Sequence, residues 1–167
     1  MRNRILAVAL LAFAAPALSQ PAEPAPAQFM NHKQIMDLVK KAKADRKGDA
    51  PLVAEPILLM APYRAQLEYR PKTAPAALHE KDAELFVVLQ GAGNIVTGGK
   101  LVDEKRVNAN NLSGSSIADG HSQSVAVGDM LIVPANTPHQ VVPTGGAPIV
   151  VMTMHVPYPP ANWPPAN

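Results

Sequence analysis

Between residues 54 and 156 the apolar residues of this chain come in short runs, each closed by Gly, Pro, Asn or Ser, and this punctuation constrains the fold more than any other feature. Residues 57–60, 85–89, 94–97, 124–127, 130–133, 140–142 and 149–156 are each too short for an ordinary helix, and most are rich in β-branched side chains, so they read as strands. Tyr63, Ala65, Leu67 and Tyr69 alternate with Arg64, Gln66, Glu68 and Arg70, the pattern of a strand with one dry and one wet face. So many strands at close spacing predict an all-β sandwich or barrel over residues 50–157. With 167 residues, 47% of them hydrophobic, the chain can bury one good core, and a single domain is expected.

One amphipathic helix is expected ahead of the strands, over residues 31–48. Asn31 and Gln34 form a capping-box pattern, Ile35, Met36, Val39 and Ala42 recur at helical spacing, and Gly48 is a good terminator. Its basic residues Lys40, Lys41, Lys43, Arg46 and Lys47 complement the C-terminal end of the helix dipole. Upstream, Arg2 and Arg4 precede an apolar run over residues 5–15 and small residues at Ala17 and Ser19, the pattern of a secretory signal peptide spanning 1–19. The apolar run is shorter than the ~20 residues that a spanning helix needs. A cleaved leader and a periplasmic or secreted protein, free of the membrane afterwards, are therefore expected. Residues 20–30 form a Pro/Ala-rich linker, and residues 158–167 a Pro-rich tail that either covers a sheet edge or stays disordered.

The sequence has no cysteine, which excludes disulfides and a lipid-modified cysteine. Without Arg2 and Arg4, 13 of the 15 basic residues remain, against 13 acidic ones. A near-neutral chain without a basic cluster does not suit nucleic-acid binding. No Gly-rich phosphate loop precedes a helix, and no Gly-x-Ser-x-Gly elbow is present.

Chemistry concentrates in two stretches. His79 and Glu84 stand at the entrance of the 85–89 strand, and residues 128–139 form a strand ending in a Pro-bracketed turn that delivers His139. Glu84 shares a face with Phe86 and Val88, where an unpaired charge is costly. A metal ion or a protonated histidine would pair with it; lacking both, its pKa should rise toward that of a general base, and a solvated rim position is the plain alternative. His121 lies in a polar segment, residues 108–124, that reads as a mobile insertion or a lid. His155 reads as a strand-end histidine sharing a face with Val151 and Thr153, His32 as a first-turn helix residue, and Met130, Met152 and Met154 as core filling.

These two stretches resemble the motifs of the cupin family. The first motif's tail matches in full: His79, four residues, Glu84, six residues, Gly91. In the second, Gly128, Pro134 and His139 fall at the family's spacing. Pro71 and Asn136 replace motif glycines, Pro143 replaces the final asparagine, and Ala77 stands where the first histidine of the pair belongs. The resemblance implies a cupin-type jelly-roll barrel with the helix outside it. It also implies a metal site reduced to His79, Glu84 and His139, with Asp82, Gln123 or His121 as candidate extra donors. Two imidazoles and one carboxylate suit a divalent transition metal, Fe, Mn, Zn or Ni. A metal-free polar pocket is the alternative.

Family activities include dioxygenase, isomerase, lyase and decarboxylase chemistry. On that reading Glu84 and His139 are the catalytic residues of a metal-dependent enzyme acting on a small molecule, with Tyr63, Phe86 and Val141 as pocket wall and the Asn-rich segment as gate. A non-catalytic binder of a small ligand or a metal is the alternative, and fold alone does not choose. Homodimers through sheet edges are common in the family, so a homodimer is also expected.

Overall fold

The structure is a computed structural model that describes residues 26–157, so the leader at 1–19, the start of the linker and the tail at 158–167 lie outside the described residues. Helix α1 (His32–Asp45) begins at the expected capping box: Asn31 Oδ1 accepts from the Gln34 backbone N–H at 2.9 Å, and Gln34 Oε1 accepts from the Asn31 N–H at 2.9 Å. It stops earlier than residue 48, because Arg46, at φ −59° and ψ 120°, leaves the helical conformation. Gly48, at φ +52°, serves the turn that follows.

Thirteen strands follow: β1 (Val53–Met60), β2 (Tyr63–Arg70), β3 (Ala76–His79), β4 (Asp82–Gln90), β5 (Ala92–Thr97), β6 (Lys100–Val102), β7 (Lys105–Asn108), β8 (Asn111–Gly114), β9 (Ser116–Ala118), β10 (His121–Ala126), β11 (Met130–Val133), β12 (His139–Pro143) and β13 (Ile149–Pro157). They form a five-stranded sheet in the order β1-β2-β13-β4-β11, a six-stranded sheet in the order β10-β5-β12-β3-β8-β7, and a β6-β9 ribbon. The two large sheets face each other as a jelly roll and do not close through hydrogen bonds. The last strand, β13, sits at the centre of the five-stranded sheet, between β2 and β4.

One core fills the space between the sheets, with Phe86, Val88, Val133, Ile149 and Val151 on one side and Ile95, Val125 and Val141 on the other. A second core lies on the outer face of the five-stranded sheet, where Val39 and Ala42 of α1 pack on Leu67, Tyr69 and Val150. This assigns the two faces of β2. Its dry face, Ala65, Leu67 and Tyr69, turns outward, and the helix covers Leu67 and Tyr69; its polar face turns inward. Glu68 is buried there, its carboxylate held by Arg70 Nε at 2.8 Å and Gln66 Nε2 at 2.8 Å.

Three expectations are corrected by this arrangement. Residues 108–124 are not an open loop: β8 pairs with β3, β9 with β6 and β10 with β5. Polar strands of three to six residues, held by backbone pairing, leave no apolar period to read. Met152 and Met154 are half-buried and Met130 is exposed, all on the outward face, so they do not fill the core between the sheets. Tyr63 also belongs to the outward face, against Met154 and Leu58, and is not a wall of the inner space.

Candidate metal centre

His79 is the last residue of β3, and its direction is fixed from both sides of the strand. Its carbonyl accepts the Asn136 N–H at 2.7 Å, which ties it to the turn before His139. Asn136 adopts φ +60°, a left-handed conformation that asparagine tolerates, so it serves where the family pattern has glycine. His139 opens β12 opposite Ala77 of β3 and Thr97 of β5. Side chains opposed across a strand pair share a face, so His139, Ala77 and, two residues along, His79 all point inward.

Glu84, on the facing sheet, is the point where these groups meet. Its Oε2 lies 2.9 Å from His139 Nε2 and 3.2 Å from His79 Nε2. The three residues singled out from sequence are thus brought together, with Glu84 4% and His79 17% exposed at the side chain. Phe86 stands edge-on to the His139 ring at 5.7 Å and closes the apolar side of the site.

A fourth residue joins them. His155 is the direct register partner of Glu84 across β13 and β4, its Nε2 is 3.6 Å from Glu84 Oε1, and its ring stands 4.6 Å from that of His79. The ligand atoms of His79, Glu84 and His155 lie within 4.8 Å of one another. The reading of His155 as an ordinary strand-end histidine is therefore corrected. It shares the inward face with Val151 and Thr153, as expected, but that face leads to Glu84. Ala77 leaves the family's first histidine position without an imidazole, and β13 brings one from the opposite sheet. The other suggested donors stay apart: His121 and Gln123 are exposed on β10, and Asp82 Oδ2 is 3.6 Å from His155 Nδ1, on the side away from Glu84.

The hydrogen bonds behind the rings fix which nitrogen faces Glu84. The Asn110 backbone N–H donates to Asn108 Oδ1 at 3.0 Å, and Asn111 Nδ2 donates to the same oxygen at 2.9 Å. Asn111 must then present Oδ1 to His79 Nδ1, 2.6 Å away, so His79 carries its proton on Nδ1 and turns the Nε2 lone pair to the site. His139 Nδ1 likewise donates to the Thr137 carbonyl at 3.1 Å. Two lone pairs therefore converge on a buried carboxylate, and in neutral imidazoles all of these atoms are acceptors. His155 Nδ1 and Thr153 Oγ1 are buried without a hydrogen-bond partner among the described residues.

Electrostatics follow from this crowding. Burial alone would raise the pKa of Glu84, but in the metal-free protein a proton shared with the facing His139 and His79 Nε2 atoms outweighs burial and holds it well below the ordinary carboxylate range. The rise toward a general base that an unpaired Glu84 would show is thus absent. For His79, burial favours the neutral ring, yet the contacts with Glu84 and Asn111 prevail and raise its pKa. His155 goes the other way: burial dominates, His79 and Arg64 add repulsion, and its pKa is lowered despite Glu84.

No protein-family model and no curated protein sequence matches the chain. Solved structures do. A protein with a double-stranded β-helix domain from Klebsiella pneumoniae superposes with a TM-score of 0.52 at 13% identity, covering 71% of this chain and 86% of its own. The TT1209 protein of Thermus thermophilus gives a TM-score of 0.50 at 16% identity, over 72% and 95%. A cupin-2 domain protein from Shewanella frigidimarina is also similar, with a TM-score of 0.46 at 15% identity over 72% and 91%. With two facing antiparallel sheets, and the last strand central in one of them, the fold of this chain is a double-stranded β-helix.

Proposed function

We propose that this chain is an exported metal-dependent cupin that binds a divalent transition ion, Fe, Mn, Zn or Ni, through His79, Glu84, His139 and His155 and acts on a small molecule. One observation carries the reading: two imidazoles whose Nδ1 protons are committed elsewhere aim Nε2 lone pairs at one buried carboxylate. Such a group of acceptors needs a cation. Two added protons would put neighbouring imidazolium rings 5.1 Å apart, whereas a divalent ion held by Glu84 would let these acceptors share one cation.

When bound, the ion supplies Lewis-acid polarisation of a substrate oxygen or activation of dioxygen. The protein's own residues do the rest. Glu84, held ionised, is suited to a permanent ligand rather than a proton acceptor. His155, kept neutral by burial, offers a lone pair at neutral pH. Phe86, Val133 and Val141 exclude water from the far side, which strengthens every electrostatic contact in the site.

The reading is tested by purifying the mature protein without chelator or histidine tag and measuring bound metals by mass spectrometry. One transition ion per chain, lost in Glu84→Ala and reduced in His139→Ala and His155→Ala, is expected. Background metal in the parent protein after incubation with each of the four ions would defeat it.

A further inference from the structure

Arg64, His155 and Glu84 are direct register partners across β2, β13 and β4, so all three leave the inward face of the five-stranded sheet. Arg64 is exposed near the start of β2, one strand from His155 and two strands from Glu84, roughly 10 Å across the sheet at the backbone. Among the described residues it has neither an ion-pair nor a hydrogen-bond partner. The other arginine on that face of β2 differs: Arg70 is neutralised by Glu68, with Nη2 to Oε2 at 2.7 Å.

Charge then restricts what can enter. With a divalent ion in place, the ion and Arg64 exceed the two neighbouring carboxylates, Glu84 and Asp82, by one positive charge. We propose that Arg64 anchors a carboxylate of the substrate, so that the site takes small carboxylic acids; this rests on the metal reading above. A guanidinium offers two parallel N–H donors that match a carboxylate, and a single negative charge balances the single surplus. Inorganic phosphate has the same oxygen chemistry but carries more charge than the site has to offer. Neutral ligands of equal size leave Arg64 unpaired.

The test uses the mature protein loaded with Co(II), whose visible absorption reports a ligand entering the coordination sphere. Lactate, lactamide and inorganic phosphate are titrated into the parent protein, Arg64→Gln and Arg64→Lys. Lactate, a monoanion, is expected to perturb the parent spectrum saturably, with its Kd raised 10- to 100-fold in Arg64→Gln, about the range of one charge-assisted hydrogen-bonded contact, and raised less in Arg64→Lys. Lactamide and phosphate should bind more weakly than lactate to the parent. If parent and Arg64→Gln hold Co(II) equally and bind lactate within twofold of each other, or if the parent ignores lactate or prefers phosphate, the anchor is refuted while the metal site stands. If the parent does not take up Co(II), the metal reading itself fails, and this inference falls with it.

Discussion

Replacing Asn111 tests whether the hydrogen-bond chain behind His79 sets the ligating nitrogen. Asn111→Leu is nearly isosteric but removes the acceptor that sits 2.6 Å from His79 Nδ1. His79 is mostly buried, so part of the penalty for an unsatisfied donor is relieved by solvent, and the metal-free protein should lose about 1–2 kcal/mol of stability. Metal affinity should suffer more clearly. An imidazole released from its acceptor samples the other tautomer and other ring orientations, and loss of such a partner weakens metal binding roughly 10- to 100-fold, or ~1.4–2.7 kcal/mol. Asn111→Asp supplies the control: it keeps an acceptor in the same place and makes the imidazole more basic, so affinity should match or exceed that of the parent. Both variants can be assayed by competing a chromophoric chelator for Zn(II) at pH 7.5, with urea unfolding of the metal-free proteins alongside. Affinity unchanged within twofold in Asn111→Leu, or reduced equally in Asn111→Leu and Asn111→Asp, would refute the tautomer argument.

Three further outcomes are expected. His155→Ala should weaken metal binding, and adding Ala77→His should restore much of it, because residue 77 faces His139 on the inward side of β3; chelator competition on the double variant checks this, and no recovery would place residue 77 away from the ion. In the metal-free protein the Glu84–His79 pair should give a stability window: Glu84, lowered from 4.5, contributes above that pH and loses the contribution as pH falls, while His79, raised from 6.5, contributes below that pH and loses the contribution as pH rises through its raised value. Chemical denaturation between pH 3 and 9 should show the acid limb flattened in Glu84→Gln, and an unchanged limb would contradict the assignment. Gly91→Ala should destabilise by more than ~1–3 kcal/mol, since residue 91 holds φ +76° and an added Cβ would collide with the Pro148 carbonyl; a thermal melt within a degree of the parent would contradict this.

Much of the barrel was legible because strand length and turn chemistry are local properties. Residues 63–70 and 130–133 form strands over the very bounds suggested by alternation and flanking turn residues, and the Asn31–Gln34 box starts the helix. The motif spacing also singled out His79, Glu84 and His139, and both ring Nε2 atoms lie close to Glu84 Oε2. What escaped depended on which strand lies beside which. His155 reaches Glu84 only because β13 inserts between β2 and β4, a choice made by the topology. Asn111 reaches His79 only through the β3–β8 pairing, although the run Asn108, Asn110 and Asn111 was a visible cluster of amide side chains near a candidate ligand in need of an acceptor. Alternation in β2 separated its two faces but could not say which one faced the other sheet. The helix settles that by covering Leu67 and Tyr69, which turns Arg64, Gln66, Glu68 and Arg70 inward.

On the metal reading, imidazoles from both sheets and the carboxylate of Glu84 share one ion. Anomalous diffraction from crystals of the Zn(II)-loaded protein, recorded at the zinc edge, would locate that ion. A single strong peak is expected about 2.0–2.2 Å from Nε2 of His79, His139 and His155 and from a carboxylate oxygen of Glu84. A peak that leaves out Glu84, or no peak between the two sheets of a protein crystallised in excess zinc, would contradict that reading.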